Sequence, residues 1–269
     1  MKTLSLQITE LIAEGYNLAQ ARAKVAHDAL LLALHKAGMR KSSTIKGGVV
    51  MSEITRDIRR TTMDLDFDVI RYSISDLSLK KLIARLAKYS GLRIEIFGTI
   101  QELRQDDYRG KRMFLKLNDG SLKAAVSTKV DIGVHTLKDI RQMECRFSAL
   151  KESPGAFLFA NAREQIFVEK LMSLLRHGAA STRGKDVFDM YYLMPKLNKK
   201  VLKTLVRKLI YESKRCRARC SSDIIAFITD TFSMKRFQRL LTAKKSNWLQ
   251  LQPTDVTSEL LRFLKSNLP

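Results

Sequence analysis

The sequence predicts an α+β fold: a mixed sheet-and-helix domain over residues 1–154, followed by an α-helical domain over residues 155–269. Two changes of period and one break predict it. Asp64–Ile70 (DLDFDVI) alternates polar and apolar residues, the mark of a half-buried strand. After about residue 155 the apolar residues recur at helical spacing, with no Gly or Pro inside any candidate helix. Between the two regions stands Ser153-Pro154-Gly155, which holds the one Pro-Gly pair of the chain.

Taken in order, residues 4–38 read as helix with a break near Gly15. Val25, Ala29, Leu32 and Ala33 mark the buried side of its second part, and Gly38 ends it. Ser42–Gly48 is a short strand or turn that closes on a double glycine, and Val49–Ile58 is a short helix. The strand at Asp64–Ile70 is followed by an amphipathic helix over Asp76–Lys88, with Leu77, Leu79, Leu82, Ile83 and Leu86. Leu92–Phe97, Arg112–Leu117 and Ala124–Val134 read as strands, and Asn118-Asp119-Gly120 as a hairpin turn, which makes the sheet largely antiparallel. Helices are expected at Ala162–Arg176, Lys185–Met194, Lys199–Glu212, Ser222–Thr231, Met234–Leu241 and Asp255–Leu264.

Composition narrows the function. The 269 residues are 45% hydrophobic, enough for a sizeable core. Lys+Arg exceeds Asp+Glu by 49 to 27, a net charge of +22, which points to a polyanionic partner such as nucleic acid. No apolar run is long enough to span a bilayer, so no membrane partner is expected. The N-terminal MKTLSLQITELIAEG lacks the apolar stretch of a secretory signal. Three cysteines, Cys145, Cys216 and Cys220, argue for a reducing compartment, and the expected location is cytoplasmic. Four scattered histidines and no CxxC pair argue against zinc.

Chemistry concentrates first at Lys46-Gly47-Gly48 and Arg60-Thr61-Thr62-Met63-Asp64-Leu65-Asp66. Asp64 and Asp66, two apart in a strand, share a face. Two carboxylates on one face repel unless a cation lies between them, and Mg²⁺ (or Mn²⁺) is held by one or two carboxylates plus substrate phosphates. The double glycine allows close approach to a phosphate, and a helix N-terminus after it supplies N–H donors. Lys46, Gly47, Gly48, Arg60 and Thr62 are therefore candidate nucleotide contacts. Asp131, between Val130 and Ile132, is a candidate third carboxylate that completes a metal site and activates a hydroxyl, or else an outward acid paired with Lys129.

Further along, Lys170 falls inside the apolar arc of its helix with Ile166, Phe167 and Leu174, where an ammonium needs an anionic partner or must snorkel. Asp186, after Arg183-Gly184-Lys185, is placed to meet it or a nucleotide, while Asp189 reads as an acid complementing a helix N-terminus. From Lys196 to Arg219 ten basic residues face one acid, Glu212. Lys199, Lys200, Lys203, Arg207, Lys208, Lys214 and Arg215 are the candidate RNA contacts of this stripe.

The two segments KGG…RRTTMDLDF and EQIFVEKLMSLLR…RGKDVFDMYYL resemble, in order and spacing, the AbiEii/AbiGii-type nucleotidyltransferase-like toxins, which include the MenT toxins. The resemblance runs from about Lys46 to Leu193. It implies a minimal polymerase-β-type nucleotidyltransferase domain followed by a helical domain. It matches Asp64 and Asp66 to the metal-binding pair, Lys46 to the lysine of the first motif, and Lys170 and Asp186 to the lysine and aspartate of the later motifs. It implies an NTP substrate, a cognate antitoxin, and a place in toxin–antitoxin or phage-defence systems, with tRNA 3′ ends as acceptor for some members. Transfer of an NMP to a protein or small-molecule hydroxyl, or non-catalytic nucleotide or RNA binding, are the competing expectations.

Overall fold

A computed structural model describes residues 2–105, 108–135, 141–151, 154–213 and 216–269. The chain divides into two compact units, Met1–Asn161 and Ala162–Pro269. The division falls after a strand that sequence reasoning placed among helices, and not at Ser153-Pro154-Gly155.

The first unit opens with α1 (Leu4–Ala13) and α2 (Leu18–Lys36). Asn17 starts α2 through a reciprocal capping box with Gln20. Residues from every side of α2 are buried, Val25, Ala26, Leu30, Leu31, Ala33 and Leu34 among them, because it is enclosed by neighbours all round. Then come β1 (Ser43–Lys46), α3 (Gly47–Thr55), β2 (Asp64–Ile70) and α4 (Asp76–Ser90). The helix α3 stops at Thr55, short of the expected Ile58, because Arg56 takes the left-handed conformation (φ 52°). Ser75 caps α4 and Gly91 (φ 72°) ends it.

Five more strands follow: β3 (Arg93–Gln105), β4 (Tyr108–Asn118), β5 (Val126–His135), β6 (Gln142–Phe147) and β7 (Ala156–Asn161). All seven join one sheet in the order β3-β4-β5-β2-β1-β7-β6. The expected largely antiparallel sheet is mixed: β2 runs parallel to β5, and β1 parallel to β7. The turn at Asn118-Asp119-Gly120 forms, with the Asn118 side chain accepting from the Gly120 N–H, but the chain continues to Val126 before pairing resumes. Leu65, Phe67 and Val69 share the core face with Val126, Val130 and Ile132, all buried. Helix α2 covers this face, packing on β5, β7 and β2.

The second unit is helical: α5 (Arg163–His177), α6 (Lys185–Leu193), α7 (Lys199–Val206), α8 (Ser221–Ser233), α9 (Lys235–Thr242) and α10 (Pro253–Asn267). Helix α5 packs on α6, α7 and α8, around Phe167, Leu171, Phe188, Leu205 and Leu260. The expected helix Lys199–Glu212 is α7 continued by a wider π turn over Arg207–Tyr211.

Candidate active site

The opposite face of β2 carries three aspartates, Asp64, Asp66 and Asp68, at alternate positions. Their burial deepens along the strand, from a carboxylate 40% exposed at Asp64 to one fully buried at Asp68. Sheet register gives this face its chemistry. Lys46 of β1 lies opposite Asp66, Asp66 opposite Asp131 of β5, and Asp131 opposite Arg112 of β4. One row across four strands therefore reads Lys–Asp–Asp–Arg. In the next row, Lys129 lies opposite Asp64.

The charges pair within this grid. Lys46 Nζ meets Asp68 Oδ1 at 2.7 Å, and Lys129 Nζ meets Asp64 Oδ2 at 2.6 Å. Arg112 grips Asp131 at both oxygens: Nε donates to Oδ1 and Nη2 to Oδ2, each at 2.8 Å. The hydrogen bond to Asp131 raises the Arg112 pKa further, and the charges of Asp64 and Asp66 add to that rise. The alternative pairing of Asp131 with Lys129 does not occur. The expected three-carboxylate metal site is not assembled either. Among the described residues no three His, Cys, Asp or Glu gather into a metal cage, and both oxygens of Asp131 are held by the guanidinium. Asp64 and Asp66, on one face of β2, fit the donor chemistry of Mg²⁺, which asks for one or two hard carboxylates beside phosphate oxygens.

The glycines have a structural reason that the sequence did not disclose. Gly47 opens α3 at φ 69°, and a Cβ there would run into the Asp66 carboxylate. A Cβ at Gly48 would lie 2.6 Å from the Thr62 Cβ. Both glycines thus let the first turn of α3 close on β2 and on the loop before it. The Thr62 hydroxyl donates to the Asp64 carbonyl. Arg60, expected to face a nucleotide, is buried, and its Nη1 donates to the Thr61 carbonyl, so it holds the loop ahead of β2. From the core side, buried His27 bonds the Thr128 hydroxyl at 3.0 Å and the Met63 backbone, the residues just before Lys129 and Asp64. Burial pushes its imidazole down to about 4, with the Lys24 charge adding to the effect.

In the second unit the Lys170 ammonium does not snorkel. It meets Asp186 Oδ1 at 2.6 Å and Asp189 Oδ2 at 2.8 Å, with Lys170 8% exposed. Asp189 is fully buried and also accepts from Trp248 Nε1 at 3.1 Å, so it is no solvent-facing helix-start acid. The i,i+3 spacing of Asp186 and Asp189 was the signal that both face one partner.

Lys199, Lys200, Arg207 and Lys208 are exposed and Lys203 half-buried, opposite the buried Leu202, Leu205, Val206 and Ile210. Arg219 instead donates to the Tyr211 and Ser213 carbonyls. Lys214 and Arg215 lie outside the described residues. No helix among the described residues is long and apolar enough to cross a membrane.

Comparison with solved structures finds JHP933 from Helicobacter pylori, at 14% identity and TM-score 0.46 over 90% of this chain and 94% of that one. It also finds an antigenic nucleotidyltransferase-like protein from Paracoccidioides brasiliensis, at 14% identity and TM-score 0.41, again over 90% and 94%. ANT(2")-Ia, in complex with adenylyl-2"-tobramycin, matches at 14% identity and TM-score 0.38 over 65% and 93%. A comparison with curated proteins finds no match. The family model described as nucleotidyl transferase AbiEii toxin, type IV toxin–antitoxin system, matches residues 29–265, a span that takes in the aspartates of β2 and the lysine of α5. The chain belongs to this family and is a nucleotidyltransferase of the AbiEii toxin type.

Proposed function

We infer that this nucleotidyltransferase is metal-dependent and places a nucleotide on an RNA acceptor, the 3′ end of tRNA, within a toxin–antitoxin or phage-defence system. The observation that carries the reading is the pair Asp64 and Asp66 on one face of β2, against the first turn of α3. Asp64 and Asp66 would hold Mg²⁺ or Mn²⁺, which when bound neutralises phosphate charge. The N–H groups at the start of α3, reached past Gly47 and Gly48, would take phosphate oxygens. Lys46, fixed by Asp68, adds positive charge beside Asp66. The acceptor hydroxyl then attacks the α-phosphate and pyrophosphate leaves. The protein contributes mostly positioning and charge neutralisation. In the second unit, Lys170 and Asp186 carry over from the family resemblance as functional residues, and the exposed bases of α7 supply a phosphate-tracking surface. Family membership also supports a cognate antitoxin as partner.

The test is transfer from each labelled NTP, with total RNA and total protein as acceptors. Label is expected at RNA 3′ ends, and lost in Asp64→Ala and Asp66→Ala without a change in thermal unfolding. Label in protein would move the acceptor to a protein hydroxyl. No transfer from any NTP to either pool would leave only a binding role.

A further inference from the structure

The carboxylate expected to complete the metal site is not available to a metal. Asp131 offers two oxygens, and one guanidinium takes both at 2.8 Å in the planar two-point geometry that matches a carboxylate best. Arginine keeps its charge at all accessible pH, so no proton loss releases Asp131. Lys129 holds Asp64 differently: one contact from a flexible ammonium that is 26% exposed. A divalent cation arriving with phosphates can displace that contact at small cost. It has no comparable route to Asp131. Both pairs are direct cross-strand neighbours, so the asymmetry lies in the side chains: a two-point guanidinium contact at Asp131 against a single ammonium contact at Asp64.

We propose that Arg112 takes the place of a second divalent cation, so that the site binds one metal ion, on Asp64 and Asp66, with the Arg112–Asp131 pair beside it as a fixed, metal-free half. Two-ion phosphoryl-transfer sites hold their ions about 4 Å apart and need carboxylate oxygens for both. Here the second set of oxygens is filled by the protein. The guanidinium fork has five N–H donors, and the Nε and Nη2 sides face Asp131. Its remaining edge is left to bind a phosphate oxygen. Arg112 is in this sense a positioning residue for Asp131 and a phosphate ligand. The proposal rests on the metal-dependent reading above.

Electron paramagnetic resonance of Mn²⁺ bound to the full chain, with a non-hydrolysable NTP analogue, counts the ions and detects coupling between close pairs. The wild type is expected to bind one Mn²⁺ per chain with an uncoupled spectrum. Arg112→Met should bind two, with Mn–Mn coupling. Arg112→Met/Asp131→Asn, which leaves no unpaired carboxylate and so protects the fold, should return to one. Two coupled ions in the wild type would overturn the proposal while the metal-dependent reading stands. So would a single ion in folded Arg112→Met. No Mn²⁺ bound by any of the three would remove the metal-dependent reading and this proposal together.

Discussion

Lys170 is the residue for which sequence and structure meet most directly. Its position in the apolar arc calls for an anionic partner or a snorkelling side chain, with Asp186 placed to meet it. The structure wedges its ammonium between Asp186 and the fully buried Asp189. Removing it takes the cation away from a fully buried carboxylate that also accepts from Trp248 Nε1, and breaking a buried ion pair costs about 3–5 kcal/mol. Lys170→Met is therefore expected to lower unfolding free energy by that amount in urea titrations, whereas Asp186→Asn, which keeps the Lys170–Asp189 contact, should cost about 1 kcal/mol. Transfer by Lys170→Met has meaning only at a temperature where that variant is folded. Wild-type stability in Lys170→Met would show that the triad does not hold the unit together. The same scale explains what could be read early. Asp64 and Asp66 are legible because two carboxylates at strand period must share a face. Lys129 as the partner of Asp64 and Arg112 as the partner of Asp131 are not, since only register brings residues 64 and 129, and 46, 66, 131 and 112, into rows. Asp68 is legible in DLDFD as a third carboxylate at the same strand period.

Among the elements, α3 and α2 act on the aspartates from two sides, and each makes a separable prediction. Gly47 must adopt φ 69° and leave room for the Asp66 carboxylate, whereas Gly91 adopts φ 72° with nothing within 4 Å of a Cβ. Alanine at either position carries a left-handed backbone cost of about 1–2 kcal/mol. Gly91→Ala should lose stability and keep Mn²⁺ affinity. Gly47→Ala should lose both, as calorimetry and Mn²⁺ titration would register. For α2, the His27 imidazole sits at about 4 in the folded chain against 6.5 unfolded. The unfolded chain therefore binds more protons between these values. Stability from neutral His27 is full above about pH 6.5 and lost as pH falls towards 4, a change of about 3 kcal/mol. His27→Gln should flatten the stability curve over that window by a similar amount, and an unaltered slope would remove His27 as its source. The elements that escaped sequence reading are β6 and β7. Ala156–Asn161 runs straight into the pattern of α5, and the Pro154-Gly155 break, which lies between β6 and its antiparallel partner β7, reads from sequence as a domain boundary.

At the scale of the whole molecule the dominant property is charge. An excess of 22 basic groups is visible in composition alone, but composition does not say where a polyanion lies. In the first unit several of the bases are committed: Lys46 to Asp68, Lys129 to Asp64, Arg112 to Asp131, and Lys111 to Asp76 and Glu102. Along α7 and the turn after it, Lys199, Lys200, Arg207 and Lys208 present exposed side chains on the side away from the buried Leu202, Leu205 and Val206. If this face tracks an RNA backbone, affinity must fall steeply with salt, because each neutralised phosphate releases condensed counterions. About five phosphates on a single strand give a log–log slope near −3.5, at roughly −0.7 each. Reversing Lys200, Lys203 and Lys208 to Glu should bring the slope to about −1.4 and leave affinity for an NTP analogue intact, since none of the three lies near Asp64 or Asp66 in the chain. Fluorescence anisotropy with a labelled tRNA acceptor stem, titrated from low to high KCl, reads the slope directly. A slope unchanged by the triple reversal would take the RNA contact away from α7 and assign the salt dependence to other bases of the chain.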